Sequence, residues 1–125
     1  MSDNSMKNEK IVEANNAFYR AFNERDIGAM SLAWSSDPFT TCIHPHSNVL
    51  KKREEVFESW RAILENPSQI KIISAIEHIH QYENMAVTVG RELAAGVPIA
   101  VTNSFIREDG QWKMLHHHAS RVAER

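Results

Sequence analysis

The chain is poor in three features that would commit it early to a class. It has one cysteine, Cys42, so no internal disulfide can form, and no Cys-x-x-Cys pair suggests a zinc ribbon or a thioredoxin-like site. No Lys/Arg cluster is longer than Lys51-Lys52-Arg53 and the formal net charge is −2, which leaves no electrostatic footprint for nucleic acid or an anionic membrane. No apolar run approaches the roughly 20 residues of a membrane span. The stretch Met1 to Lys10 also lacks the apolar centre of a signal peptide. These absences predict a cytoplasmic protein that meets neither nucleic acid nor membrane.

What is present suits one globular domain: 125 residues, 42% apolar and 24% charged, with no repeat and no low-complexity segment. Residues 1–7 are polar and read as a flexible N-terminus, leaving 8–125 as the domain. From Asn8 to Glu24, Ile11, Val12, Ala14, Phe18, Tyr19 and Phe22 recur at three- and four-residue spacing and predict an amphipathic helix. Asp26 is placed to cap a short second helix through Ile27, Met30, Leu32 and Trp34, which Asp37-Pro38 ends. Phe39 to His44 reads as a strand, and Lys52 to Glu65 as a third helix stopped by Asn66-Pro67. Four strands are then expected over Gln69 to Gln81, Met85 to Ala94, Ile99 to Arg107 and Trp112 to Ser120, with Asp109-Gly110 a strong hairpin turn.

Helices grouped ahead of an antiparallel meander argue α+β rather than α/β. A curved antiparallel sheet wrapped around the N-terminal helix, with two further short helices, makes a cone whose mouth can hold a small molecule.

Several segments carry a family resemblance. Ala17 to Asp26, Met30-Ser-Leu-Ala-Trp34, Cys42-Ile-His-Pro45, Arg53-Glu-Glu-Val56, Ser59-Trp60, Thr102 to Trp112 and His116-His-His-Ala-Ser120 are similar to the SnoaL-like branch of the nuclear transport factor 2-like superfamily. Lys52 stands where that family usually has glycine. The resemblance implies the cone-shaped fold, a conical cavity and commonly a homodimer through the outer sheet faces. It leaves chemistry open, because the fold hosts ketosteroid isomerases, cyclases, dehydratases and kinase association domains. The isomerases' set of an inward aspartate, a tyrosine and a second acid cannot be placed, since Asp37 and Asp109 fall in turns and Asp26 reads as a cap.

Regular alternation in Trp112 to Ser120 places His116, His118 and Ser120 on the face of Trp112 and Met114, and sends His117 outward with Lys113 and Leu115. Together with His44 at the end of the first strand, His116 and His118 form the main candidate constellation. Three roles stay open for them: polar groups satisfied by one another or by water, proton-transfer or ligand-contacting groups, and metal ligands. Metal and other cofactors are not expected.

Arg91 and Glu92 point to opposite faces of their strand, and whichever is inward would be the strongest charge in such a cavity; Glu92, set inward with Thr88 and Gly90, would carry a raised pKa, the alternative being an outer-face salt bridge to a dimer mate. Asn103, alternating with Val101 and Phe105, is expected to orient a ligand, with Trp60, Trp112 and Tyr19 as further contacts. Cys42 reads as a buried, inert thiol. The expected function is binding of a small hydrophobic or aromatic molecule, with proton transfer of isomerase, cyclase or dehydratase type. The alternative is a noncatalytic ligand-binding or dimerisation module.

Overall fold

The computed structural model describes residues 4–123, with side chains from residue 8 onward. In chain order it contains α1 (Asn4–Asn23), α2 (Ile27–Ala33), β1 (Thr41–Ile43), α3 (Arg53–Glu65), β2 (Ile72–Gln81), β3 (Met85–Ala94), β4 (Val97–Glu108) and β5 (Gln111–Arg121). The first helix starts at Asn4 rather than Asn8, and the expectation of a flexible start falls partly outside the described residues. No helix among the described residues is long and apolar enough to cross a membrane.

The architecture is α+β. One open, five-stranded sheet in the order β1-β5-β4-β3-β2 forms a cone over α1. The four long strands pair antiparallel, and three-residue β1 adds to the free side of β5 in parallel. Local chemistry explains the joints. Asp26 caps α2 by accepting the amide of Ala29 at 3.0 Å. Asp109 and Gly110, at φ of 51° and 78°, make the tight turn between β4 and β5.

The apolar stripe of α1 fills the cone. Phe18 is 1% exposed and makes edge contacts with Tyr19, Trp34 and Trp60. Burying a side chain of that size contributes about 1.5–3 kcal/mol. Phe22 is also buried and meets Trp60, so α1 and α3 share one core.

Two bulges bend the sheet. In β2 the register shifts between Ile76 and His78, and Gly90 lies opposite, where an added Cβ would collide with the carbonyl oxygen of Ala75. In β5, Ser104 pairs with His116 while Phe105 pairs with Met114, so Leu115 has no partner on β4. Trp112 and Met114 face the core, but beyond this extra residue the inward residues are His117 and Ala119. The expected phase is therefore reversed: His116, His118 and Ser120 turn outward. On the other side of β5, the amide of Ser35 donates to the carbonyl of Met114 at 2.8 Å, and β1 joins only from His116 onward. The bulge thus sits where two separate segments dock along one strand edge.

Candidate functional site

The site grows from one row of residues across the sheet. Thr88 pairs with Asn103, Asn103 with His117, and His117 with Cys42, and all four point inward. Helix α1 supplies the other half, because Asn15 and Tyr19, four residues apart, share the buried stripe of Ile11 and Phe18. Asn15 Oδ1 accepts from Asn103 Nδ2 at 2.9 Å and from Thr88 Oγ1 at 3.2 Å. Asn103 Nδ2 also reaches the Tyr19 hydroxyl oxygen at 3.2 Å, and Tyr19 donates its own proton to Glu92 Oε2 at 2.6 Å.

The remaining contact of Asn103 determines a tautomer. Its Oδ1 lies 2.6 Å from His117 Nδ1 and can only accept, so Nδ1 carries the hydrogen and Nε2 carries the lone pair. His44, just past β1, lies edge-on to Trp60 with ring centroids 4.8 Å apart and is 2.6 Å from Ser59 Oγ through Nε2. The rings of His44 and His117 are 6.4 Å apart.

Of these groups Glu92, His44, His117 and Trp60 line a cavity of about 310 Å³ at the wide end of the cone. Its polar lining includes Glu92, His44 and His117; its walls include Phe22, Trp60, Ile63, Ile72 and Ile99; Arg25, Asn66 and Ser68 also contribute. Burial lowers His44 to about 4 and His117 to about 3, the latter also opposed by the neighbouring imidazoles. Both rings are neutral at pH 7. Burial raises the Glu92 carboxyl above the ordinary carboxylate range, and the hydrogen bond from Tyr19 offsets part of that rise. The Tyr19 hydroxyl is itself held protonated by burial and by Glu92. Burial also pushes the Cys42 thiol up to about 12, so no thiolate nucleophile exists near neutral pH.

Of the side chains singled out in the sequence, Glu92, His44 and Trp60 line the cavity. Tyr19 and Asn103 do not line it; they are buried behind it and hold Glu92 and His117. His116 and His118 belong to the outer face, where His116 Nδ1 lies 2.6 Å from Thr41 Oγ1 and His118 is exposed. Trp112 is buried away from the cavity, beside Ala14 and Ala17 of α1 and under the guanidinium of Arg107. His117, which regular alternation sends outward, is the one β5 imidazole in the cavity lining among the described residues, beside His44 from the end of β1. Asn15 was also missed, although its four-residue spacing from Ile11 and Tyr19 sets it on the apolar stripe. Among the described residues, no three His, Cys, Asp or Glu side chains converge as a metal site would need.

A helix held in an open, curved sheet with a cavity at the wide mouth defines the nuclear transport factor 2-like class of α+β proteins. Residues 11–124 match the SnoaL-like domain model, and the chain belongs to that family. A candidate dehydratase of the NTF2-like family from Streptomyces avermitilis is 26% identical, with a TM-score of 0.85 over 93% of this chain and 96% of that one. A candidate calcium/calmodulin-dependent protein kinase type II association domain from Thiobacillus denitrificans is 28% identical, with a TM-score of 0.82 over 88% and 93%. The F-box protein SKIP8 of Arabidopsis thaliana is 28% identical over 112 residues, 88% of this chain, and the chain spans about half (48%) of that relative.

Proposed function

We propose that the cone cavity binds a small, mainly apolar molecule and that Glu92 exchanges a proton with it, a reaction of isomerase, cyclase or dehydratase type. The observation that carries this reading is one carboxyl group in an apolar cavity, raised in pKa by burial and gripped on one oxygen by Tyr19. A general acid or base works best when its pKa approaches the working pH. Burial moves Glu92 toward that range and moves His44 and His117 away from it. The imidazoles therefore serve as neutral hydrogen-bonding groups, with Nε2 of His117 accepting from a substrate hydroxyl or amide. Likeness to a candidate dehydratase supports the same class of chemistry. Thermal-shift screening of cavity-sized aromatic and alicyclic alcohols and ketones, followed by turnover assays on the hits, tests the proposal. Glu92→Gln should retain binding and lose turnover; unchanged turnover in that variant would overturn the assignment.

A second reading is an assembly module, with the chain a homodimer through the outer sheet face. Its support is the directly paired Ile73 and Leu93, exposed on that face at 71% and 43%. Similarity to a kinase association domain is consistent with such use.

A further inference from the structure

Helix α1 ends in a Schellman motif, with the amide of Arg25 donating to the carbonyl of Phe22 at 3.1 Å and the amide of Asp26 to that of Ala21 at 3.0 Å. The residue between, Arg25, is left-handed at φ 58°. Glycine is the usual occupant of that position, because a Cβ is crowded against the following carbonyl oxygen there. An arginine at such a site directs attention to its side chain.

That side chain belongs to the cavity lining. The guanidinium lies 5.0 Å from the centroid of Phe22, itself a cavity wall, and one N–H donates to the carbonyl of Ile70 at 2.5 Å. A guanidinium has five N–H donors in a planar fork that matches a carboxylate, so one such bond leaves most of its capacity unused. The other lining groups give a carboxylate no ionic partner. Glu92 is an acid, and His44 and His117 are kept neutral by burial. Among the described residues Arg25 is thus the one cation of the lining, set against apolar walls that focus its field.

Resting on the cavity reading above, we propose that Arg25 is a specificity-determining residue that selects ligands with an apolar body and a carboxylate. The carboxylate would meet the Arg25 guanidinium while the apolar body extends along Phe22 and Trp60 toward Glu92.

The test uses matched probes on the whole chain: phenylacetate, cinnamate and 1-naphthylacetate, each against its primary amide. Affinities are measured calorimetrically for the wild type and for Arg25→Gln, which keeps an N–H donor for Ile70 without the charge. In the wild type at least one acid should bind at least about tenfold more tightly than its amide, the scale of a charge-assisted hydrogen bond. Arg25→Gln should bring that ratio near one and leave amide affinity little changed. Arg25→Gly, which relieves the left-handed backbone, should melt no lower than Arg25→Gln and show the same lost preference, so misfolding cannot account for it. Equal binding of acids and amides by the wild type, or a preference that survives both substitutions, overturns the role of Arg25 while the cavity reading stands. Failure of acids and amides alike to bind overturns both.

Discussion

Asn103 Oδ1 lies 2.6 Å from His117 Nδ1 across neighbouring strands, and this contact makes His117 a hydrogen-bond acceptor at Nε2. Asn103 is oriented in turn by Asn15 on α1, so a helix residue reaches the cavity through a strand amide. Nitrogen-15 spectra of imidazole-labelled protein at neutral pH should show one ring in the Nδ1–H form that survives in His44→Gln and disappears in His117→Gln. Asn103→Leu should destabilise the fold by about 1–3 kcal/mol, the cost of an unsatisfied buried donor. A neutral His117 carrying its hydrogen on Nε2 in the wild type would contradict the assigned network.

Stability should fall on acidification. His44 and His117 have folded pKa values of about 4 and about 3, below the ordinary 6.5, so the unfolded chain binds more protons as pH drops below 6.5. Between about pH 6.5 and about pH 4 each ring then removes up to roughly 1.4 kcal/mol per pH unit. Glu92 acts with the opposite sign, because its raised pKa weakens the fold as pH climbs above the ordinary 4.5. Chemical denaturation across this range should show the acid slope in the wild type and a shallower one in His117→Gln. Equal slopes would remove His117 as its source.

Tyr19→Phe removes the donor to Glu92 and should raise the carboxyl pKa further. Infrared spectroscopy should follow this as a protonated carboxyl band persisting to higher pH than in the wild type, and absent from Glu92→Gln. A band lost at lower pH in Tyr19→Phe would mean that the hydroxyl does not stabilise the charged form.

Gly90→Ala places a Cβ against the Ala75 carbonyl at the β2 bulge. Overpacking of this kind costs about 1–3 kcal/mol. Thermal unfolding should detect it, and an unchanged melting temperature would show that the strands can separate there without cost.

Ile73→Lys tests the proposed dimer. Sedimentation should give a dimer for the wild type and a monomer for the variant, with the apolar outer face as the cause. A wild-type monomer at micromolar concentration, or a dimer unaffected by Ile73→Lys, excludes this face.

The sequence by itself determined the elements and the fold class. Periodicities of 3.6 and 2 are local properties, and the Asp26 cap and the Asp109-Gly110 turn require only neighbouring residues. Alternation also made Asn103 legible as buried and set Arg91 and Glu92 on opposite faces of β3, but only the packing of that sheet face against Tyr19 of α1 shows that Glu92 is the inward one. Tertiary structure alone decided which histidine of β5 faces the cavity. Leu115 bulges where Trp34 and Ser35 meet β5 ahead of β1, and one unpaired residue reverses the alternation beyond it, moving His117 in and His116 and His118 out. Arg25, Ile70 and Glu92 likewise line one cavity only because α1, the segment before β2 and the curved sheet converge at one end of the cone. No spacing along the chain encodes that convergence, since it depends on how far the sheet bends.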